Sequence, residues 1–259
     1  MPADLRAYTC GHTQHDLARL VNGHPRERRT FPATVFAYTD GDRRVLFDTG
    51  YAAQPWEAGL TGRLYQRLLP PTLPREQEIA AQLDPASVTH VVLSHLHPDH
   101  IGGLHHFPHA RIVLHHGLLS TLASPRLREG LLRGLLPDWF AEATRDPDRC
   151  TAVDEFTPGP FGLGSYDLFG DGSYQLVDLP GHARGHLGAL VAGRVLLAGD
   201  AAWGRDLLEQ VQRMRALPRW ITHDGAAHRD TARRLLEAER GGVRLIFSHD
   251  AHPSGVNLL

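Results

Sequence analysis

The stretch Ser94-His95-Leu96-His97-Pro98-Asp99-His100 constrains this chain more than any other. It packs three imidazoles and a carboxylate into one turn, directly after the apolar run Val91-Val92-Leu93 and directly before Ile101-Gly102-Gly103. Core packing gives no reason for so dense a polar cluster at the end of a buried strand. A transition metal does. Imidazole suits zinc, iron and manganese, and a carboxylate adds charge and a hard oxygen. The chain must therefore fold into a rigid scaffold that carries this turn on one rim and brings further ligands to it.

The rest of the sequence supplies them in a regular way. Thr34-Val-Phe-Ala-Tyr and Arg44-Val-Leu-Phe are β-rich runs separated by Thr39-Asp40-Gly41-Asp42, a strong hairpin signal. The second empties into Asp48-Thr49-Gly50. Tyr174-Gln-Leu-Val-Asp-Leu ends in Pro180-Gly181-His182; a hairpin over 187–198 ends in Gly199-Asp200; Val243-Arg-Leu-Ile-Phe ends in Ser248-His249. Five times a predicted strand stops at a residue able to bind a metal or support one. Loops at strand ends, with a sheet behind them, are how a scaffold holds a site.

Other segments are read more coarsely. Residues 3–10 read as an opening strand, 11–29 as a long polar loop with a short helix at 14–21, and 62–70 and 75–83 as helices. Leucines spaced by three and four over 118–140 read as an amphipathic helical pair. Segment 157–173, rich in Gly and Pro, reads as loop; 204–216 and 229–240 read as helices, the second ended by Gly241-Gly242.

Composition limits the partners. The chain has 259 residues, 42% hydrophobic and 22% charged, which is globular. A net charge of −2 gives no electrostatic reason to expect nucleic acid or an anionic membrane. Cys10 and Cys150 cannot form a disulfide framework and lack CxxC spacing. No signal peptide is visible, so the expectation is a cytoplasmic protein acting on a small molecule, either alone or as a homodimer.

Taken together, His95-x-His97-x-Asp99-His100, then Pro180-Gly181-His182, Gly199-Asp200 and Ser248-His249, with Asp48-Thr49-Gly50 upstream, resemble the metallo-β-lactamase superfamily. The resemblance implies an α/β (α+β) fold: a four-layer αββα sandwich of two mixed β-sheets with helices on both outer faces. It implies one domain over 1–259, with the 117–146 segment as a helical lid or insert near the metal rim. It also implies two divalent metal ions, zinc first, with iron or manganese as alternatives. His95, His97 and His182 would hold one ion; Asp99, His100 and His249 the other; Asp200 would bridge them. Asp48 would sit behind a ligating histidine and fix its tautomer. A hydroxide held between the ions would attack a carbonyl, with Asp99 and Asp200 as catalytic groups.

Within the superfamily the motifs are similar to the N-acyl-homoserine lactonase-like branch, whose members usually carry a tyrosine three residues after the bridging aspartate. This chain has Trp203 there, which can donate a hydrogen bond but cannot shuttle a proton. The resemblance implies hydrolysis of a lactone, ester or thioester. Alternatives on the same fold are an iron-dependent redox enzyme of the persulfide dioxygenase kind and a metallo-phosphodiesterase. His186 competes with His182 as a ligand, and the histidines at 105, 106, 109, 115 and 116 read as surface or supporting positions.

Overall fold

The computed structural model describes residues 3–51 and 58–259. Two six-stranded sheets follow one another along the chain. The first is built, in order across the sheet, from β1 (Asp4–Asp16), β2 (Arg28–Asp40), β3 (Arg43–Phe47), β4 (His90–Val92), β5 (Arg111–His115) and β6 (Cys150–Val153). β1 to β3 pair antiparallel; β3 to β6 pair parallel. The second contains β7 (Thr157–Pro158), β8 (Gly164–Asp167), β9 (Tyr174–Asp178), β10 (Leu187–Val191), β11 (Val195–Leu197) and β12 (Arg244–Ile246), antiparallel except for the β11–β12 pair.

Side chains alternate across each strand, and that alternation makes the layers. Phe36, Tyr38, Val45, Phe47 and Val92 point inward and meet Tyr174, Leu176, Ala189, Val191 and Leu197 of the second sheet. Their neighbours Val35, Ala37, Leu46 and Val91 face outward onto Ile79, Ile101, Leu104, Leu118 and Phe140. On the far side Val177, Leu190 and Leu196 meet Ala232, Leu235 and Ala238 of the helix Gly225–Arg240. The result is the αββα sandwich. Among the described residues, no helix is long and apolar enough to cross a membrane.

Several local expectations are corrected. β1 does not stop at Cys10: it continues to Asp16 through an irregularity between Thr9 and His12, where Gly11 takes φ +88°. It is an edge strand, so polar side chains such as His12 and Gln14 are tolerated on it, and the expected loop over 11–29 shrinks to a single helical turn (Leu17–Leu20) and its flanks. The 157–173 segment holds two short strands, the edge strand β7 and its neighbour β8; Pro158 is acceptable on β7 because an edge has spare backbone groups. β6 was not expected. Segment 75–83 is a 3₁₀ turn (Arg75–Gln77) followed by one α-turn (Ile79–Gln82). The 204–216 helix is 3₁₀ over Arg205–Arg213, with a separate helix at Ala216–Ile221.

The Leu-rich segment is not a helical pair. Only His116–Ala123 is an α-helix of two turns; short 3₁₀ turns at Leu127–Glu129 and Arg133–Leu135 and a turn of helix at Phe140–Ala143 follow. Pro125, Pro137 and Gly130, at φ +67°, break the path. Leu118, Leu132, Leu135 and Phe140 nevertheless bury against the outer face of the first sheet, which accounts for the helical spacing of its leucines.

Candidate metal centre

β3 and β4 run parallel and end on the same rim, as do β11 and β12. β4 delivers Ser94 and His95; Pro98 then opens a single helical turn, Pro98–Ile101, which returns Asp99 and His100 toward the strand ends. The two sheets are tied at this rim by backbone bonds from Leu187 N–H to the Ser94 carbonyl (2.9 Å) and from Thr34 N–H to the Ser248 carbonyl (3.1 Å). The site is therefore fixed by the sheets.

Seven side chains converge there in two groups, His95, His97, His182 and Asp200, and Asp99, His100 and His249; within each group the donor atoms lie within 4.8 Å of one another. In the first group His97 Nδ1 is 3.3 Å from His182 Nε2, and Asp200 Oδ2 is 3.5 Å from His182 Nε2 and 4.0 Å from His95 Nε2. In the second, Asp99 Oδ2 is 3.6 Å from both His100 Nε2 and His249 Nε2. Asp200 reaches across, with Oδ1 3.4 Å from His100 Nε2 and Oδ2 3.1 Å from His249 Nε2.

The far sides of the His100 and His249 rings are held so that one nitrogen of each stays free. Asp48 sits at φ +65°, a strained position for a residue with a side chain. Its carboxylate secures it there: Oδ1 accepts from Ser94 N–H (2.8 Å), and Oδ2 accepts from the Ser94 hydroxyl (2.8 Å) and from His100 Nδ1–H (2.7 Å). That bond places the His100 proton on Nδ1 and turns the Nε2 lone pair inward. His249 Nδ1–H donates to the Pro32 carbonyl at 2.7 Å, with the same effect.

His186 faces away from the donor cluster. Its Nδ1–H donates to the Leu179 carbonyl (3.1 Å) and its Nε2 accepts from Asp200 N–H (3.1 Å), so it positions Asp200. Burial pushes it down to about 4, which keeps it neutral in that role. Gly181, at φ +130°, lets the Pro180-Gly181-His182 turn press on the backbone of His228. Gly130 lies against the outer edge of the His97 ring: a Cβ there would stand 2.6 Å from Cδ2. Trp203 packs on the Leu17–Val21–Phe31–Leu207 cluster and also lines, with Asp200, Met214 and His228, a small cavity.

The donor set fits metal ions. His95 Nε2, His100 Nε2 and Asp200 Oδ1 are buried and find no hydrogen-bond partner, although buried polar atoms nearly always do. Burial holds His95, His97 and His182 below the usual histidine range, leaving neutral imidazoles. Burial also opposes a charge on His100 and His249, but Asp200 and Asp99 outweigh it, with Asp48 adding to the effect on His100; His100 is pushed well up and His249 to about 9. Burial would raise Asp200, yet His249 and His100 hold it well below the ordinary carboxylate range.

Sequence reading did not single out Ser94, Gly130, Tyr51 or Tyr65 as part of this surround. Ser94 directly precedes the histidine cluster and was the one available signal.

Comparison with known proteins agrees with this architecture. The model of the metallo-beta-lactamase superfamily matches residues 28–249. The N-acyl homoserine lactonase AttM of Azorhizobium caulinodans is 33% identical over 178 residues, 66% of this chain and 61% of that protein. The match thus spans about three fifths of that relative's length. Among solved structures, an N-acyl homoserine lactone hydrolase with the product N-hexanoyl-L-homoserine at its catalytic metal center superposes with a TM-score of 0.69 at 19% identity, over 95% of this chain and 93% of that one. AidC, a dizinc quorum-quenching lactonase, gives 0.64 at 16% identity, over 98% and 89%. By its motifs, its fold and the span of the family match, the chain belongs to the metallo-beta-lactamase superfamily.

Proposed function

We propose that the protein is a binuclear metal-dependent hydrolase that opens a lactone or another carboxylic ester of a small molecule. The observation that carries this reading is the position of Asp200, whose carboxylate stands within 4.0 Å of donors from both groups. His95, His97 and His182 would hold one ion, Asp99, His100 and His249 the other, and Asp200 both. Zinc is the first choice, because a histidine-rich site suits it and hydrolysis needs no redox change; the dizinc relative AidC supports that choice. When bound, such a pair supplies Lewis acidity at the substrate carbonyl and a nucleophile drawn from water.

The chain's own residues do the rest. Two carboxylates, Asp99 and Asp200, offset the charge of the ions, while the imidazoles add none. Asp99 is the more exposed of the two, at 14% against 3%, and is the group placed to pass a proton toward the leaving oxygen. His186 and Asp48 hold their partners still, so little reorganisation is needed as charge develops. The lactonase named AttM among the relatives supports a lactone as the first substrate to try.

The test is a panel of lactones, aryl esters, thioesters, β-lactams and phosphodiesters on metal-quantified protein. Turnover of a lactone or ester by protein carrying two zinc ions is expected. Oxygen uptake on a persulfide by protein carrying a single iron, or turnover of the phosphodiester alone, would replace this reading with one of the other two.

A further inference from the structure

Two phenols that neither donor group uses meet three residues beyond Asp48. Tyr51 follows the Asp48-Thr49-Gly50 turn and is 3% exposed; its N–H bonds the Cys10 carbonyl at 3.1 Å. Gly11 leaves the ring its room, since a Cβ there would already stand 3.1 Å from Cδ2 of Tyr51. Tyr65 comes from the helix Gly59–Leu68, half-buried, and packs against the outer cluster that includes Leu96, the residue between His95 and His97. The two hydroxyl oxygens are 3.1 Å apart.

Both phenols feel the site. Burial, and then the charge of Asp99, push both hydroxyls up; Asp200 adds to this at Tyr65, so both stay protonated at neutral pH. Tyr51 is enclosed between the Thr13 hydroxyl and Tyr65. A phenol has one proton to give. With Tyr51 giving its proton to the oxygen of Tyr65, the Tyr65 O–H is left for a third group. A half-buried phenol within the field of two carboxylates, whose oxygen is already taken as an acceptor and whose proton has no other partner among the described residues, can donate to a further acceptor.

We propose that Tyr65 is a catalytic residue that donates a hydrogen bond to a substrate oxygen at the reacting centre, and that Tyr51 is the positioning residue that orients its hydroxyl. This rests on the reading of the site as an ester or lactone hydrolase. The donor then comes from the helix Gly59–Leu68 and not from position 203. A donor aimed at developing negative charge acts on kcat more than on KM.

The experiment compares wild type, Tyr65→Phe and Tyr51→Phe on a lactone, with metal content and unfolding temperature measured on each. A second readout is the affinity for the ring-opened hydroxy acid, by calorimetry, which needs no turnover. Tyr65→Phe should keep its metal and its unfolding temperature, lose roughly 100-fold in kcat and bind the hydroxy acid about tenfold more weakly. Tyr51→Phe should lose less than Tyr65→Phe in both. An active wild type whose Tyr65→Phe variant matches it in kcat and in hydroxy-acid affinity overturns the tyrosine assignment alone. A larger loss in Tyr51→Phe than in Tyr65→Phe reverses the two roles and overturns it as well. A metal-loaded wild type that opens no lactone or ester overturns the functional reading itself.

Discussion

The two halves of the site offer their donors to a cation by different means. His95, His97 and His182 offer three lone pairs from rings that burial keeps neutral. Asp99, His100 and His249 lie among carboxylates, and there the same burial is outweighed, so that both histidines are pushed up. The first half is a soft, uncharged pocket; the second is organised by charge. Asp200 belongs to both, and that shared carboxylate makes them one site. The difference teaches that an ion entering the second half must displace protons, while an ion entering the first need not.

Breaking the link between the halves has the largest expected effect. Asp200→Asn should lower hydrolysis by on the order of 10³-fold and reduce the metal content, as measured by steady-state rates and elemental analysis of the same samples. Full rate with both ions retained would show that the halves do not depend on Asp200.

A smaller effect sharpens the contrast. Asp48 bonds His100 of the second half directly, and reaches His95 of the first half only at one remove, through the Ser94 hydroxyl. Asp48→Asn should weaken the ion held by Asp99, His100 and His249 by roughly 10–100-fold and weaken the imidazole half less, in a chelator competition that resolves two affinities. Equal weakening of both would mean that Asp48 acts through the whole rim.

The smallest effect is a dependence on pH. A histidine pushed up to about 9 is protonated below that pH, so an ion must compete with a proton there at neutral pH. Affinity of the second half should therefore rise steadily as pH increases from 6 toward about 9, whereas the first half, with its histidines below their ordinary value of 6.5, should change little above that value. Parallel slopes for the two affinities would erase the distinction.

Much of this was legible in the sequence because the site residues sit where strands stop. Val91-Val92-Leu93 is a buried run, so the polar turn after it must lie at a rim, and the same logic holds for Asp48, His182, Asp200 and His249. The edges were harder to read. β1 beyond Gly11, and β7, carry polar residues and Pro because an edge strand is paired on one side only, and such residues read as loop; β8, next to β7, is too short to stand out. The 118–140 leucines follow a helical spacing, but Gly130 and the prolines decide the backbone, and the leucines bury from short turns instead. Tyr65 and Gly130 carry no sequence signal at all, since their roles come from a distant residue against which the fold places them.

The central claim is that seven side chains divide between two ions. Equilibrium dialysis against zinc, read as bound metal per chain, tests it most directly. The account predicts two ions per chain at saturation, one in His182→Ala and one in His249→Ala. Saturation of the wild-type chain at a single ion would contradict it.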